Sequence, residues 1–434
     1  MLRKNRTLIR EGGAVGHLNS LTDNRDLTFG ELKEILELAA EGKLERVSEK
    51  FDGQNCVFSW DATTGEVMAA RNSGDIKTGG MDAAALAAKF AGRGSLTDAF
   101  TVAFKVLTDA LGALDDTTKV SVFGDNTNRW YSMEIIYTDN PNVINYDSNN
   151  IVFHGWPIFH VENGVVTRDD NDDGVQILKA NIEAMQKAVT VKNWRVNGPA
   201  LVRLKGLSDG SVLQSTLTAI EGAQGAAGVS DAASIGEYLR SMLEKHVSDL
   251  GVDSVAEEAI LARCMEEDGA PGLVQIKKLV GGDAYPDVAA FVKGAPTMFK
   301  KFIAPIEHAV HKFSLEVLKG LESTLIVDSD AEVVRLRREV SRAIKAIEAS
   351  GQDVAMDVLK QQMQKLQNVE TINSPMEGIV FIYKGEAYKL TGNFAPAGQI
   401  LGLFRYGRKG VKLSTEARLR QYVRIALNNG RPLL

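Results

Sequence analysis

The spacing of apolar residues changes twice along the 434-residue chain. A helix is predicted directly after Thr28-Phe29-Gly30-Glu31, which has the form of a capping box, and it ends at Gly42. Beyond it apolar and polar residues alternate in short runs bounded by Gly, Asp and Asn, a pattern typical of strands. The predicted strands are Val47 to Lys50, Val57 to Trp60, Glu66 to Ala70, Lys119 to Phe123, Ser132 to Tyr137 and Ile151 to Phe153.

From about residue 174 the apolar spacing becomes helical. The predicted helices lie within Val175 to Val189, Ala232 to Leu250, Ser254 to Met265, Ala295 to Leu321 and Ala331 to Gln367. Strand patterns then return in Met376 to Tyr383 and Glu386 to Thr391, which Lys384-Gly385 joins as a hairpin. The sequence therefore predicts an α+β protein. Its antiparallel sheet domain is split between residues 1–170 and 373–434, and residues 171–372 form a large α-helical insertion.

Composition narrows the class of protein. With 44% hydrophobic and 24% charged residues, the chain matches soluble globular proteins and not disordered ones. It has no uninterrupted apolar run of about 18 residues, so a membrane partner is not expected. Its two cysteines, Cys56 and Cys264, are too few for a disulfide framework and indicate a reducing compartment. The expected location is the cytoplasm, or the host cytoplasm if a bacteriophage encodes the chain.

Charge is distributed unevenly. The net charge of −6 argues against a protein that coats nucleic acid by bulk electrostatics, so a basic site must be local. Residues 396–434 hold eight Lys and Arg against the single acid Glu416. The segment is interpreted either as a solvated C-terminal helix or as a surface that binds phosphates. The cations nearest its glycines are Arg405, Arg408, Lys409 and Lys412.

The candidate chemistry begins at Lys50-Phe51-Asp52-Gly53, where a lysine at the end of a strand is followed by a turn. Alone, this pattern more often marks an ordinary hairpin with an exposed lysine. Further polar residues follow at the ends or inside of apolar strands. In chain order they are Arg71, Glu134, the aromatic Phe153, and, after the helical region, Glu377 and Lys389.

This order resembles motifs I, Ia, III, IIIa, IV and V of the covalent nucleotidyltransferase superfamily, which comprises ATP-dependent DNA ligases, RNA ligases and mRNA capping enzymes. The resemblance covers residues 48–160 and 376–391. The spacing of the front motifs is most similar to that of bacteriophage RNA ligases. Only 43 residues follow Thr391, which is too few for a typical nucleic-acid-binding barrel and also favours an RNA ligase.

The resemblance implies a nucleotidyltransferase (ligase adenylation) domain and a role for each motif. Lys50 would attack the α-phosphate of ATP and form lysyl-AMP, which requires a neutral amine. Glu377 would hold Mg²⁺, and Lys389 would contact the phosphates. The remaining residues would bind the nucleotide: Glu49, Asp52 and Gly53 around the turn, Arg71 and Glu134 at the ribose, and Phe153, with Phe159 as a possible substitute, against adenine.

One departure and two alternatives remain open. Motif V usually has two lysines one residue apart, but here Thr391 occupies the second position. One phosphate contact is therefore expected to be missing, or to be supplied by Lys384 or by the basic tail. The expected partner is a polynucleotide with 5′-phosphate and 3′-hydroxyl ends, with RNA favoured over DNA. The alternatives are an ATP-dependent DNA ligase and a catalytically silent nucleic-acid-binding protein that retains the fold.

Overall fold

The computed structural model of the protein describes residues 18–321, except 126, 141–145, 147, 170–172 and 200, and residues 377–392. The strands are β1 Asn19–Ser20, β2 Glu45–Lys50, β3 Gln54–Asp61, β4 Glu66–Ala70, β5 Arg129–Ile136, β6 Asn149–Glu162, β7 Val165–Asp169, β8 Trp194–Asn197, β9 Gly378–Tyr383 and β10 Glu386–Thr391. The helices are α1 Phe29–Ala40, α2 Ser73–Lys77, α3 Ala83–Phe90, α4 Ser95–Leu111, α5 Asp116–Phe123, α6 Asp173–Ala188, α7 Ser211–Ala227, α8 Ile235–Val247, α9 Ser254–Met265 and α10 Leu273–Lys319, with a 3₁₀ turn at Ser248–Leu250. The predicted α+β class with antiparallel sheets is confirmed.

The first sheet joins strands from distant parts of the sequence. Its four strands have the order β1-β10-β9-β2. The predicted hairpin of β9 and β10 is present, and β9 pairs antiparallel with β2, while β1 pairs parallel with β10. The register places Lys50 opposite Gly378, and Gly378 opposite Thr391. The hairpin that follows the helical region therefore lies beside the strand that ends in Lys50.

The second sheet has six strands, with the path β4-β3-β5-β6-β7 and with β8 parallel to β6. It packs on a core that includes Phe58, Phe100, Phe123 and Phe153. Residues 51–53 link β2 of the first sheet directly to β3 of the second. Lys50 consequently lies where the two sheets meet.

Local capping explains both a correct and a wrong prediction. Thr28 and Glu31 form the predicted capping box, and α1 begins where expected. The predicted strand Lys119 to Phe123 is wrong, because these residues form the end of α5. The Asp115 side chain caps α5 by accepting from the backbone N–H of Thr118. This cap favours a helix over the alternating pattern that follows it.

Several helices were not predicted. In α4, the buried residues recur at helical spacing from Ala99 to Leu111 and pack on the second sheet. The long α10 begins well before the predicted Ala295 and is kinked at Gly281, where φ is 79°. Helices α7 to α10 share one core with α1 and the first sheet. Helix α6 and strand β8, although they follow residue 171, pack on the second sheet.

The proposed division of the chain at residues 171 and 372 stays a prediction, because residues 322–376 lie outside the described part of the chain, as does the predicted helix of Ala331 to Gln367. In the described part, no helix is long and apolar enough to cross a membrane.

Candidate active site

The first sheet brings Lys50 and Glu377 together. Lys50 is the last residue of β2, and Glu377 directly precedes β9, its antiparallel neighbour. The Lys50 Nζ donates a hydrogen bond to Glu377 Oε1 and forms an ion pair with it. Each side chain is 23% exposed, so the pair lies in a recess with limited access to solvent.

Glu377 controls the charge of Lys50. Burial by itself lowers the pKa of the Lys50 amine, but the charge and hydrogen bond of Glu377 outweigh burial, with smaller contributions from Glu134 and Asp52. The net result is that the pKa of Lys50 is raised above its usual 10.5. In this arrangement the amine is protonated at neutral pH and cannot act as a nucleophile.

The second carboxylate oxygen of Glu377 is available to a cation. Glu377 Oε2 is buried and accepts no hydrogen bond in the described part of the chain. A buried anionic oxygen without a partner is costly, and Mg²⁺ prefers carboxylate oxygen ligands. Glu377 therefore fits the predicted role of a metal ligand. Among the described residues, no three His, Cys, Asp or Glu side chains cluster as a metal site.

Lys389 lies on the same face of the first sheet as Lys50. It pairs with Val380, and Val380 pairs with Ser48, so Lys389 lies two strands across the sheet and two residues along it from Lys50. Burial, followed by the charge of Lys50, lowers the pKa of Lys389, against smaller opposing effects of Asp23 and Glu377. Two amines thus share this face, and the carboxylate of Glu377 is paired with one of them, Lys50.

The predicted replacement of the second motif V lysine by Lys384 is wrong. Lys384 is in the hairpin turn, where it forms ion pairs with Glu31 and Glu34 of α1. Six residues of β9 separate it from Gly378, the register partner of Lys50, which corresponds to about 20 Å. Thr391, which stands in place of the second motif V lysine, occupies the row of Lys50 in the first sheet. The alternative in the basic tail, Arg405, Arg408, Lys409 and Lys412, lies outside the described residues.

Glu134 and Gly53 form the second wall of the site. The Gly53 N–H donates to Glu134 Oε1 over 3.1 Å, and Glu134 Oε2 lies 3.5 Å from His154 Nε2. Glu134 is only 8% exposed, so these contacts compensate for burial of its carboxylate. A Cβ on Gly53 would lie 2.6 Å from the carbonyl oxygen of Ile135, which explains why glycine occupies this turn.

Asp52 and Glu49 flank Lys50 in the chain. The Asp52 N–H donates to the hydroxyl of Tyr146 over 3.1 Å, which fixes the turn. Burial raises the pKa of Tyr146 well above its usual value, and the charges of Asp52, Glu377 and Glu49 add to the increase. Tyr146 therefore remains a neutral hydroxyl. Glu49 is 1% exposed and pairs with Ile379 of the first core.

Arg71 and Asn55 meet beside Glu134. An Arg71 Nη1 donates to the backbone oxygen of Asn55, and the guanidinium lies 5.0 Å from the ring centre of Phe100. Asn55 is opposite Glu134 in the sheet, so the two side chains share a face. Asn55 Oδ1 is buried and has no hydrogen-bond partner among the described residues. Asn55 was not among the residues predicted for the site, although an amide between the turn and an apolar strand is a usable signal.

The structure does not bring Phe153 to the site. Phe153 is 1% exposed and stacks on Phe58 inside the second core, with ring centres 4.9 Å apart. This burial contradicts its predicted role as a platform for adenine. The next residue, His154, points to the opposite face, where it contacts Glu134 and lies 6.2 Å from the ring of Phe51. Phe159, the predicted substitute, is 5% exposed and packs beside Trp130.

Comparison with known proteins identifies no relative of this chain: no family model, no curated protein and no solved structure matches it.

Proposed function

We propose that the protein is an ATP-dependent polynucleotide ligase of the covalent nucleotidyltransferase type, with RNA as the favoured substrate and Lys50 as the nucleophile. The observation that carries this proposal is the meeting of Lys50 with Glu377 and Lys389 at the junction of two sheets. These are the residues whose order in the sequence resembles the ligase motifs.

The first step of the proposed reaction forms lysyl-AMP. The Lys50 amine, after losing a proton, attacks the α-phosphorus of ATP, the bond to the β-phosphate oxygen breaks, and pyrophosphate leaves. Lys389, which faces the same side of the sheet, would offset the negative charge that builds up on the α-phosphate oxygens. Mg²⁺, when bound, would neutralise negative charge on Glu377 and on the phosphates.

Release of the Lys50 proton depends on Glu377. When its carboxylate is occupied by a cation, the largest influence that raises the pKa of Lys50 is weakened. Burial then lowers the pKa of Lys50, and the nearby charge of Lys389 acts in the same direction. The ion pair would thus hold Lys50 protonated until the nucleotide and metal are bound.

The nucleotide would extend from Lys50 towards Glu134. Glu134 is anchored by Gly53, and His154 beside it offers a ring on the face where Phe153 was expected. Asn55 Oδ1 is a further acceptor without a partner in the described part of the chain. These groups suit a ribose and a base, which need acceptors and a flat surface.

In the second and third steps, AMP would pass from Lys50 to the 5′-phosphate of a polynucleotide, and a 3′-hydroxyl would displace AMP. These steps rest on the resemblance to RNA ligases. The second candidate is a silent nucleic-acid-binding protein, and one observation favours it: the ion pair with Glu377 holds Lys50 in its unreactive form.

The test is incubation with Mg²⁺ and ATP labelled at the α-phosphate, followed by denaturation and measurement of label on the protein. Covalent label supports the transferase, and its absence at saturating ATP supports the silent protein. Adding nicked RNA, nicked DNA and single-stranded RNA to the labelled protein then distinguishes an RNA ligase from a DNA ligase.

A further inference from the structure

An extended segment covers the outer edge of the first sheet. Leu201 forms an antiparallel bridge with Ser48 of β2, and the Val202 N–H donates to the backbone oxygen of Val47 over 2.9 Å. Farther along, the Leu207 N–H donates to the backbone oxygen of Ala40 over 2.7 Å. Leu201 and Val202 therefore lie beside the strand that ends in Lys50, and the segment then passes to the end of α1.

From Leu201 to Lys205, the side chains alternate between the core and the site face. Val202 and Leu204 pack against the first core. Because neighbouring side chains in an extended segment point to opposite faces, Leu201, Arg203 and Lys205 lie on the other side. All three are exposed. Leu201 pairs with Ser48, whose side chain shares the face of Lys50, so the three continue the face that carries Lys50.

These positions form a row that leads away from the site. Leu201 is aligned with Ser48, two residues from Lys50 along β2. With a rise of about 3.3 Å per residue, Arg203 lies about 13 Å and Lys205 about 20 Å along the strand direction from Lys50. The long side chains of both residues extend the reach of the row.

Both cations are available to a ligand. Within the described residues, neither Arg203 nor Lys205 forms a hydrogen bond or an ion pair, whereas Lys384 and Lys33 on the same half of the molecule are paired with acids. The nearest acid on β2 is Glu45, which pairs with Ile382 in the sheet and forms no ion pair with either cation. The row therefore presents excess positive charge about 13 to 20 Å along the sheet edge from the proposed nucleophile.

We propose that Arg203 and Lys205 bind the phosphates of the polynucleotide strand whose end reacts at Lys50. This inference rests on the proposed function for the identity of the ligand. A chain of negative charges at regular spacing is the ligand that matches a line of unpaired cations on an extended edge. ATP alone is too short to occupy Lys50 and both cations.

The test measures binding of a fluorescent, 5′-phosphorylated single-stranded RNA by anisotropy at several salt concentrations. The variant is Arg203→Ala with Lys205→Ala. The matched control is Arg195→Ala with Lys192→Ala, which removes the same two residue types from exposed positions at β8 of the second sheet. Covalent labelling by ATP is measured on the same preparations.

The variant should lose about tenfold or more in RNA affinity, and its slope of log affinity against log salt should fall by about 1.4, or 0.7 for each lost phosphate contact. Glu45→Gln should tighten binding, because it removes the nearest negative charge. The control should bind as the wild type does. Labelling by ATP should be unchanged, because neither cation touches the nucleotide.

Equal binding by variant and wild type would overturn the proposal, and so would an equal loss in the control pair. Loss of ATP labelling with unchanged RNA binding would assign the two cations to ATP instead. If the wild type takes no label from ATP but the variant alone loses RNA binding, the proposed catalysis fails and the strand-binding row stands.

Discussion

The Lys50 Nζ donates a hydrogen bond to Glu377 Oε1, although the two residues are 327 positions apart in the sequence. The first sheet creates this contact by placing β2 next to β9. Because Glu377 raises the pKa of Lys50, the carboxylate that would hold a metal ion also decides whether the amine can react. The amine and the carboxylate therefore form one unit, and separate substitutions test the role proposed for each.

Replacing Glu377 with Gln should lower the pKa of Lys50 below its usual 10.5. The substitution removes the charge that raises it, and burial then dominates. Since the wild-type pair stabilises the protonated amine, its contribution to stability is present below pH 10.5 and is lost as pH rises through the raised pKa. The pH dependence of acylation of Lys50, followed by peptide mass spectrometry without metal, measures the shift.

The matched control is Glu386→Gln, on the same hairpin but paired with Tyr383 at the far end of the strands. It should leave the reactivity of Lys50 unchanged. Glu377→Gln should also slow formation of lysyl-AMP by at least about a hundredfold at saturating Mg²⁺. If Lys50 becomes reactive at the same pH in both variants, Glu377 does not control its charge.

Lys389→Met should make the protein more stable and less active. Burial and the charge of Lys50 lower the pKa of Lys389, so the charged amine is unfavourable in the fold. The gain should be full below the lowered pKa and disappear as pH rises towards 10.5. Thermal unfolding should show a higher melting temperature at pH 7, and labelling by ATP should slow by about a hundredfold or more. A lower melting temperature would show that Lys389 stabilises the fold instead.

Gly53→Ala should damage both fold and site. Its Cβ would lie 2.6 Å from the carbonyl oxygen of Ile135 and 2.7 Å from Cγ of Glu134, so the turn after Lys50 must move. The expected cost is about 1–3 kcal/mol in the free energy of unfolding. Gly222→Ala, in α7 with open space around its Cβ, is the control and should stabilise by about 0.5–1 kcal/mol. Denaturant unfolding measures the free energy of unfolding of both variants. Equal stabilities would refute the steric argument.

Substitutions at Phe153 and His154 should affect different properties, stability for Phe153 and nucleotide binding for His154. Phe153→Ala empties a core position and should cost about 3–5 kcal/mol. His154→Ala should cost less stability than Phe153→Ala, because it empties no position of the core, but it should weaken ATP binding at least about fivefold, the lower end for loss of a ring stacked on a base. Scanning calorimetry measures the stability of each variant, and titration calorimetry with ATP measures its affinity for the nucleotide. The assignment of His154 to the site would be wrong if its variant binds ATP normally.

The pair Phe153 and His154 also shows what the sequence could not reveal. An aromatic residue in an apolar strand is compatible with a buried core position and with a surface that stacks on a ligand. The two can be distinguished only when the face of the sheet that carries the side chain is known. That facing depends on the pairing of β5 with β6, whose register shifts between Tyr131 and Met133. No local pattern encodes such an irregularity, so the wrong neighbour was chosen.

Local sequence patterns predicted secondary structure more accurately than they predicted which face of a sheet a side chain occupies. The capping box at Thr28 predicted α1, and the alternation around Lys384-Gly385 predicted the β9–β10 hairpin. The same kind of signal was missed at Asp115, where a cap outweighs alternation in α5. The contact of Lys50 with Glu377 is different in kind, since only the resemblance to ligase motifs, and no spacing, could have suggested it.

The central claim is that Lys50 becomes covalently attached to AMP. The most direct measurement is peptide mapping by mass spectrometry after incubation of the wild-type protein with ATP and Mg²⁺, with Lys50→Ala and Lys389→Met in parallel. The account predicts AMP on the peptide that contains Lys50, no adduct in Lys50→Ala, and a reduced amount on the same lysine in Lys389→Met. An adduct on another residue, an adduct that persists in folded Lys50→Ala, or no adduct on the wild type at saturating ATP would contradict it.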